Sequence, residues 1–262
     1  MDTALRDRTV LVTGGSSGIG AATARAFARE GARVALTYHR NEKKAAHVVA
    51  GIEAVGGRAL AVRLDLTDPS TVGEAVAAVA ARWGAVDVLV ANAVHWGGDA
   101  PPDPGIRFED VPLAEWETMI GANLIGAAAQ VRAVLPGMRA RGWGRIVLIS
   151  SGVAEEGVPG PGPYGTAKAG LHGMARALAW DAGRDGILVN VVAPGFTLTD
   201  SRPDLPEQVV ARLAAGTPTR RLSEADDVAR LVVHLGSAAN GNLTGELVRD
   251  GSAAARAPYA AG

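Results

Sequence analysis

The chain has 262 residues, 48% hydrophobic and 20% charged, which is ample for one sizeable α/β core and excludes a disordered chain. Lys+Arg number 26 and Asp+Glu 27, a net charge of −1, so no global field draws it to nucleic acid or an anionic membrane. The absence of cysteine excludes a disulfide scaffold, a Cys-ligated metal or cluster and a cysteine nucleophile.

No apolar run of signal-peptide length opens the sequence, and none of about 18 uncharged residues occurs, so no membrane span and a cytoplasmic, soluble protein are expected. Residues 9–13 (TVLVT) read as a short strand buried on both faces. From Gly18 the pattern turns helical, with Ile19, Ala22, Ala26 and Phe27 on one face and Gly31 as the stop. A second strand is predicted over 33–37, a helix over 42–55, a third strand over 58–64, a helix over 70–83 and a fourth strand over 86–91. Residues 94–110, rich in Gly, Pro and Asp, read as loop. A long helix over 113–139, bent near Pro136, precedes a fifth strand over 145–150, a helix over 164–182 and a sixth strand over 187–192. Residues 196–222 read as irregular with a short helix near 207–214; a helix over 224–235 and a seventh strand over 246–249 close the pattern.

Strict β-α alternation with short connections implies parallel strands and right-handed crossovers. The expected fold is a single α/β domain over 1–262, doubly wound and Rossmann-type, with about seven parallel strands and helices on both faces. A short lid is expected at about 196–217. Such sheets bind ligands beyond the carboxyl ends of their strands. The unusual residues fall there: 14–20, Asp65, Asn92, Ser150, Ser151, Pro194 and Gly195.

The first strand is followed by Gly14-Gly15-Ser16-Ser17-Gly18-Ile19-Gly20, which opens the first helix. Glycines permit a tight turn and close backbone approach, and a helix N-terminus offers free N–H groups to phosphate. A glycine-rich turn alone is a weak signal; its place after the first strand of an alternating chain strengthens it.

Tyr164 and Lys168 stand at i and i+4 at the start of a predicted helix and so share a face. A phenol with a pKa of about 10 is a poor acid–base group at neutrality; an adjacent cation stabilises the phenolate, and a shift of ~3 units needs ~4 kcal/mol. Such a pair arises by chance on helix surfaces. Here, however, Lys168 is one of 3 lysines beside 23 arginines, and the other two, Lys43 and Lys44, adjoin on an exposed helix. Ser151 lies 13 residues before Tyr164, at the end of the fifth strand.

With these residues the chain resembles the single-domain short-chain dehydrogenases/reductases, over about residues 5–252. The matching pieces are TGGSSGIG (13–20), Asp65, Asn92-Ala93, Asn123, Ser151, Tyr164 with Lys168, and Pro194-Gly195 with Thr199. Within the family it is similar to 3-oxoacyl-carrier-protein reductases and bacterial polyketide ketoreductases. The resemblance implies hydride transfer between a nicotinamide and a ketone or alcohol. Tyr164 would be the proton donor, Ser151 would hold the forming alkoxide, and Lys168 would lower the Tyr164 pKa and hold the nicotinamide ribose. Asn123 would position a water linking Lys168 to solvent. Gly14, Ser16, Ser17, Gly18, Ile19, Gly20, Asp65, Leu66, Asn92, Ala93, Pro194, Gly195 and Thr197 would line the cofactor, with Asp65 at the adenine edge and residues 194–197 at the carboxamide. No metal is implied.

NAD-preferring relatives carry an acid after the second strand. Tyr38 stands there, followed by His39 and Arg40, which would attract a 2′-phosphate, so NADPH (NADP+) is expected over NADH. Ser17 stands where many NADP-using relatives place Arg and speaks against this. Val94 replaces the glycine usual after Asn-Ala and puts nearby cofactor contacts in question. The longer loop brings His95 and Trp96, which with Val94 are candidates to wall the substrate pocket. Arg139, Arg141 and Arg184 are candidates to engage an acyl carrier protein. The expected substrate is a bulky secondary-metabolite ketone of polyketide type. A 3-oxoacyl-carrier-protein reductase, a general alcohol dehydrogenase and a non-catalytic nucleotide-binding module are the alternatives. The resemblance implies a homo-oligomer, tetramer or dimer, and the apolar face with Leu171, Met174 and Leu178 suits either an interface or the sheet.

Overall fold

The computed structural model describes residues 2–97, 105–157, 160, 162–200 and 205–251. Their elements in chain order are β1 (Thr9–Val12), α1 (Gly18–Arg29), β2 (Arg33–Tyr38), α2 (Glu42–Glu53), β3 (Arg58–Arg63), α3 (Pro69–Trp83) and β4 (Val88–Ala91). Then come α4 (Leu113–Ile120), α5 (Gly126–Arg141), β5 (Gly144–Ile149), α6 (Val153–Glu156), α7 (Gly162–Ala182) and β6 (Ile187–Pro194). Beyond them lie β7 (Thr197–Leu198), α8 (Glu207–Ala215), β8 (Ser223–Glu224), α9 (Ala225–Leu235) and β9 (Leu247–Asp250).

Seven strands form one sheet in the order β3-β2-β1-β4-β5-β6-β9, every pair parallel. β1, β4, β5 and β6 are buried along their whole length, as apolar runs flanked by helices on both faces must be. One face packs Phe27 of α1, Val48 and Ile52 of α2 and Val228 and Val232 of α9 against the sheet. The other packs Val79 of α3, Val131, Val134 and Met138 of α5 and Leu171 and Ala175 of α7. Met174 and Leu178 join this second cluster, so the apolar stripe of α7 serves the sheet. The order reverses between β1 and β4, which opens a crevice at their carboxyl ends.

The helix expected over 113–139 departs from the expectation. Its irregularity is a π turn at Gly121–Ile125, between α4 and α5, and Pro136 sits inside α5. A π turn breaks the regular i→i−4 ladder, and the Met119 carbonyl there is taken up by the Asn123 side chain, 3.1 Å away. The whole stretch Leu113–Arg141 is long and apolar enough to cross a bilayer by length and composition, but 44% of its most apolar window is buried in this fold. Two short strands, β7 and β8, pair beside the main sheet; the sequence pattern did not signal them.

Candidate active site

The crevice between β1 and β4 is built by side chains that tie strand ends together. The Thr13 hydroxyl accepts from the N–H groups of Asn92 and Ala93, each 3.1 Å away, and donates to Gln130 Oε1 at 3.0 Å. One donor and two lone pairs are thus fully used. Asn92 Nδ2 returns two bonds to the carbonyls of Thr13 and Gly14, at 2.9 and 3.2 Å. Gly14 has φ +65°, and a Cβ on Gly20 would stand 2.2 Å from the Gly14 carbonyl oxygen. The turn therefore closes only with glycine at both places.

Ser17 is the extended residue before α1, and its side chain does not cap the helix. The Gly18 N–H instead donates to the Asp200 carboxylate at 2.8 Å. A carboxylate on the first N–H groups of a helix marks an anion-binding end, so the loop at residues 14–20 fits a pyrophosphate in chemistry and in backbone clearance.

Just after β3, Asp65 Oδ1 accepts from the Thr67 N–H and hydroxyl, at 2.9 and 2.7 Å. These bonds hold its carboxyl below the usual carboxylate range. Asp65 Oδ2 lies 3.0 Å from His39 Nε2. The sequence reading offered His39 to a 2′-phosphate; the structure gives its ring to Asp65 instead. Arg40 is exposed just past β2. The Tyr38 phenol hydrogen-bonds Glu42, and burial first, then that carboxylate, raise its pKa.

At the ends of β5 and β6 the second group of residues meets. Tyr164 is buried in the first turn of α7, 8% exposed, and Lys168 lies one turn on, 3% exposed. Lys168 Nζ stands 5.9 Å from the Tyr164 ring centroid and donates to the Ile149 carbonyl at 2.8 Å. Burial lowers the ammonium to about 8. Ser151 follows β5, its Oγ accepting from the Val153 N–H at 3.3 Å. Thr197 Oγ1 donates to the Gly195 carbonyl at 3.1 Å, closing the turn after Pro194.

Asn123 is 3% exposed in the π turn. Its Oδ1 accepts from the His95 N–H and its Nδ2 donates to the His95 carbonyl, both at 2.9 Å. Its side chain thereby clamps the backbone of the segment after β4. That clamp sets Trp96, whose ring stacks on Tyr164 with centroids 4.8 Å apart at 24°. Trp96 remains 43% exposed. Nearby, Phe108 meets Trp116 edge to face at 5.3 Å, and Trp116 lies against Gly162, two residues before Tyr164. Val94 is exposed and carries no positive φ, so its Cβ is accommodated without backbone strain. The middle of the predicted loop, 98–104, lies outside the described residues.

Three predicted contacts are not at the site. Arg139 pairs with Asp181 and Asp185, and Arg141 with Asp87. Arg184 lies just before β6, at the same end. These residues adjoin the amino ends of β5 and β6, opposite the crevice, which removes them as carrier-protein contacts at the reaction centre. Conversely, sequence reasoning missed Gln130, His172 and Asp200, and it gave Thr13 and Ser150 no role of their own. Ser150 Oγ lies 2.8 Å from His172 Nε2 and donates to the Lys168 carbonyl at 3.1 Å, fastening β5 to α7 behind the lysine. Burial lowers the His172 pKa. The i+8 spacing of His172 from Tyr164 was the one available signal for it. Among the described residues no cluster of His, Asp and Glu is arranged to hold a metal.

A family model described as short chain dehydrogenase matches residues 8–209. The chain is 38% identical over 248 residues to cis-4-hydroxycyclohexanecarboxylate dehydrogenase of Sinomonas cyclohexanicum, covering 95% of this chain and 96% of that protein. It is 33% identical over 242 residues to a 3-oxoacyl-acyl-carrier-protein reductase of Staphylococcus epidermidis, covering 92% and 96%. Among solved structures, a 7α-hydroxysteroid dehydrogenase complexed with NADH and 7-oxo glycochenodeoxycholic acid superposes with a TM-score of 0.88 at 30% identity, covering 97% of each chain. On this match of sequence, topology and site, the chain belongs to the short-chain dehydrogenase family and is an NAD(P)-dependent oxidoreductase acting on CH–OH and C=O groups.

Proposed function

We propose that the protein is an NADPH-dependent ketoreductase for a bulky cyclic ketone, of the kind found in polyketide-type secondary metabolites. A single catalytic domain does this work, with residues 196–217 as its substrate lid. The observation that carries the reading is the stack of Trp96 on Tyr164 above a buried Lys168. An exposed indole beside the proton donor offers a flat apolar wall to a ring. Two relatives act, by their names, on ring-borne hydroxyl or oxo groups.

In this reading the loop at residues 14–20 holds the pyrophosphate. Arg40 attracts the 2′-phosphate, and position 38 carries a phenol rather than the acid of NAD-preferring relatives. A bound dihydronicotinamide supplies hydride to the carbonyl carbon. Tyr164 Oη gives its proton to the carbonyl oxygen as the C=O π pair moves onto that oxygen, so the product is the neutral alcohol and the phenolate remains. The Lys168 ammonium stabilises that phenolate. Ser151 Oγ donates a hydrogen bond to the same oxygen while its charge develops. Asn123 acts as a positioning residue through the His95 backbone.

Oxidation of NADPH and NADH against a decalone-type ketone, a polycyclic aromatic ketone and a β-ketoacyl thioester tests the reading. Turnover of a cyclic ketone with NADPH is expected, falling by about 10²–10⁴ in Tyr164→Phe. Turnover that survives in Tyr164→Phe overturns the mechanism. Preference for the thioester supports the second reading, a 3-oxoacyl-carrier-protein reductase, which 33% identity across 96% of such an enzyme favours.

A further inference from the structure

The segment after β6 turns back across the carboxyl ends of β1 and β2. Its β7 is held by β8, and two residues beyond β7 the Asp200 carboxylate reaches the Gly18 N–H at 2.8 Å. Carboxylate and phosphate compete for the same N–H groups and the same helix-end charge. Asp200 also borders a cavity of about 300 Å³ that Ser16, Arg25, Lys43, Lys44 and His47 line. Three of those side chains are permanent cations near neutrality, and they flank the same loop from α1 and α2. The carboxylate therefore stands between two cationic settings, one of backbone N–H groups and one of side chains.

We infer that Asp200 is a two-position latch. Its carboxylate holds the Gly18 end of the loop, and an entering dinucleotide drives it into the Arg25–Lys43–Lys44 cavity. Binding is thereby coupled to the position of the segment that begins at β7. The inference rests on the reading of residues 14–20 as the dinucleotide site. The competition is with the pyrophosphate, which NADPH and NADH share, so the latch weakens both alike. A contact to the 2′-phosphate would separate them.

The test is fluorescence titration of wild type, Asp200→Asn and Asp200→Ser with NADPH and with NADH, with thermal melts to verify folding. Both variants are expected to bind both dinucleotides about 3–10-fold more tightly, in line with the strength of a charge at a helix end. Amide exchange in residues 195–200 is expected to change on dinucleotide binding in wild type and to change less in Asp200→Asn. Lys43→Gln/Lys44→Gln is expected to weaken binding in the wild-type background and less so in the Asp200→Asn background. Unchanged or weaker binding by folded Asp200→Asn overturns the latch and leaves the dinucleotide reading standing. A wild type that binds neither dinucleotide overturns both. Equal loss from the lysine substitutions in the two backgrounds overturns the second position, since those lysines then act on the phosphates directly.

Discussion

At the residue scale, two buried polar side chains of the candidate site each make a measurable statement. Lys168 has its pKa lowered by burial from 10.5 to about 8. Between those values the unfolded chain binds more protons than the native one, so stability without dinucleotide rises with pH across that window and is flat below it. Urea denaturation from pH 7 to 10.5 is expected to show this rise, and Lys168→Met is expected to abolish its share. Asn123 makes two 2.9 Å bonds to the His95 backbone and one to Met119. Asn123→Ala is expected to lose about 1–3 kcal/mol of stability, because buried backbone groups are left unsatisfied. It is also expected to lower kcat at least about tenfold, since Trp96 and the β4 end are no longer fixed. A kcat unchanged alongside the lost stability would make the clamp purely structural.

At the scale of the element, two glycines in helices answer to different forces. Alanine is the better helix former by about 1 kcal/mol. In α2, Gly51 has open space where a Cβ would go. Gly51→Ala is therefore expected to stabilise the protein by about 0.5–1 kcal/mol in chemical denaturation. In α1, the Cβ of Gly20→Ala would fall 2.2 Å from the Gly14 carbonyl oxygen. Steric overlap with backbone outweighs propensity there, so the loop must open. Dinucleotide Kd is expected to rise at least about tenfold by fluorescence titration. The capping of α9 needs no such compromise: Glu224 and Asp227 form a reciprocal capping box, and Arg221 and Arg230 both pair with Asp227. The Arg221 hydrogen bond, then the Glu224 N–H, hold the Asp227 carboxyl well below its usual range.

At the scale of the whole molecule, the crevice lies between two groups of elements that the sheet joins. β1, β2 and α1 carry the glycine-rich loop at residues 14–20, while β5, α7 and the π turn carry Ser151, Tyr164, Lys168 and Asn123. A dinucleotide spanning both is expected to stabilise them together. At about 100 times Kd the gain is ~2.7 kcal/mol, which for a chain of this length raises Tm by roughly 5–10 °C. A thermal melt with and without NADPH checks this, and the Gly20→Ala variant, with Kd raised at least about tenfold, is expected to lose about half of the shift or more.

The alternation of elements, their parallel pairing and the tight glycine turn after β1 were legible in the sequence, because apolar periodicity and glycine placement are local and survive without knowledge of partners. So were Tyr164 and Lys168, whose i, i+4 spacing a helix converts directly into proximity. Tertiary structure alone decided what required residues far apart in the chain to meet. Asn123 grips His95, Trp96 stacks on Tyr164, His39 turns to Asp65, and Asp200 reaches Gly18 across 182 positions. No local pattern encodes these contacts. They follow from the strand order β3-β2-β1-β4-β5-β6-β9, which brings the carboxyl ends of distant strands into one crevice.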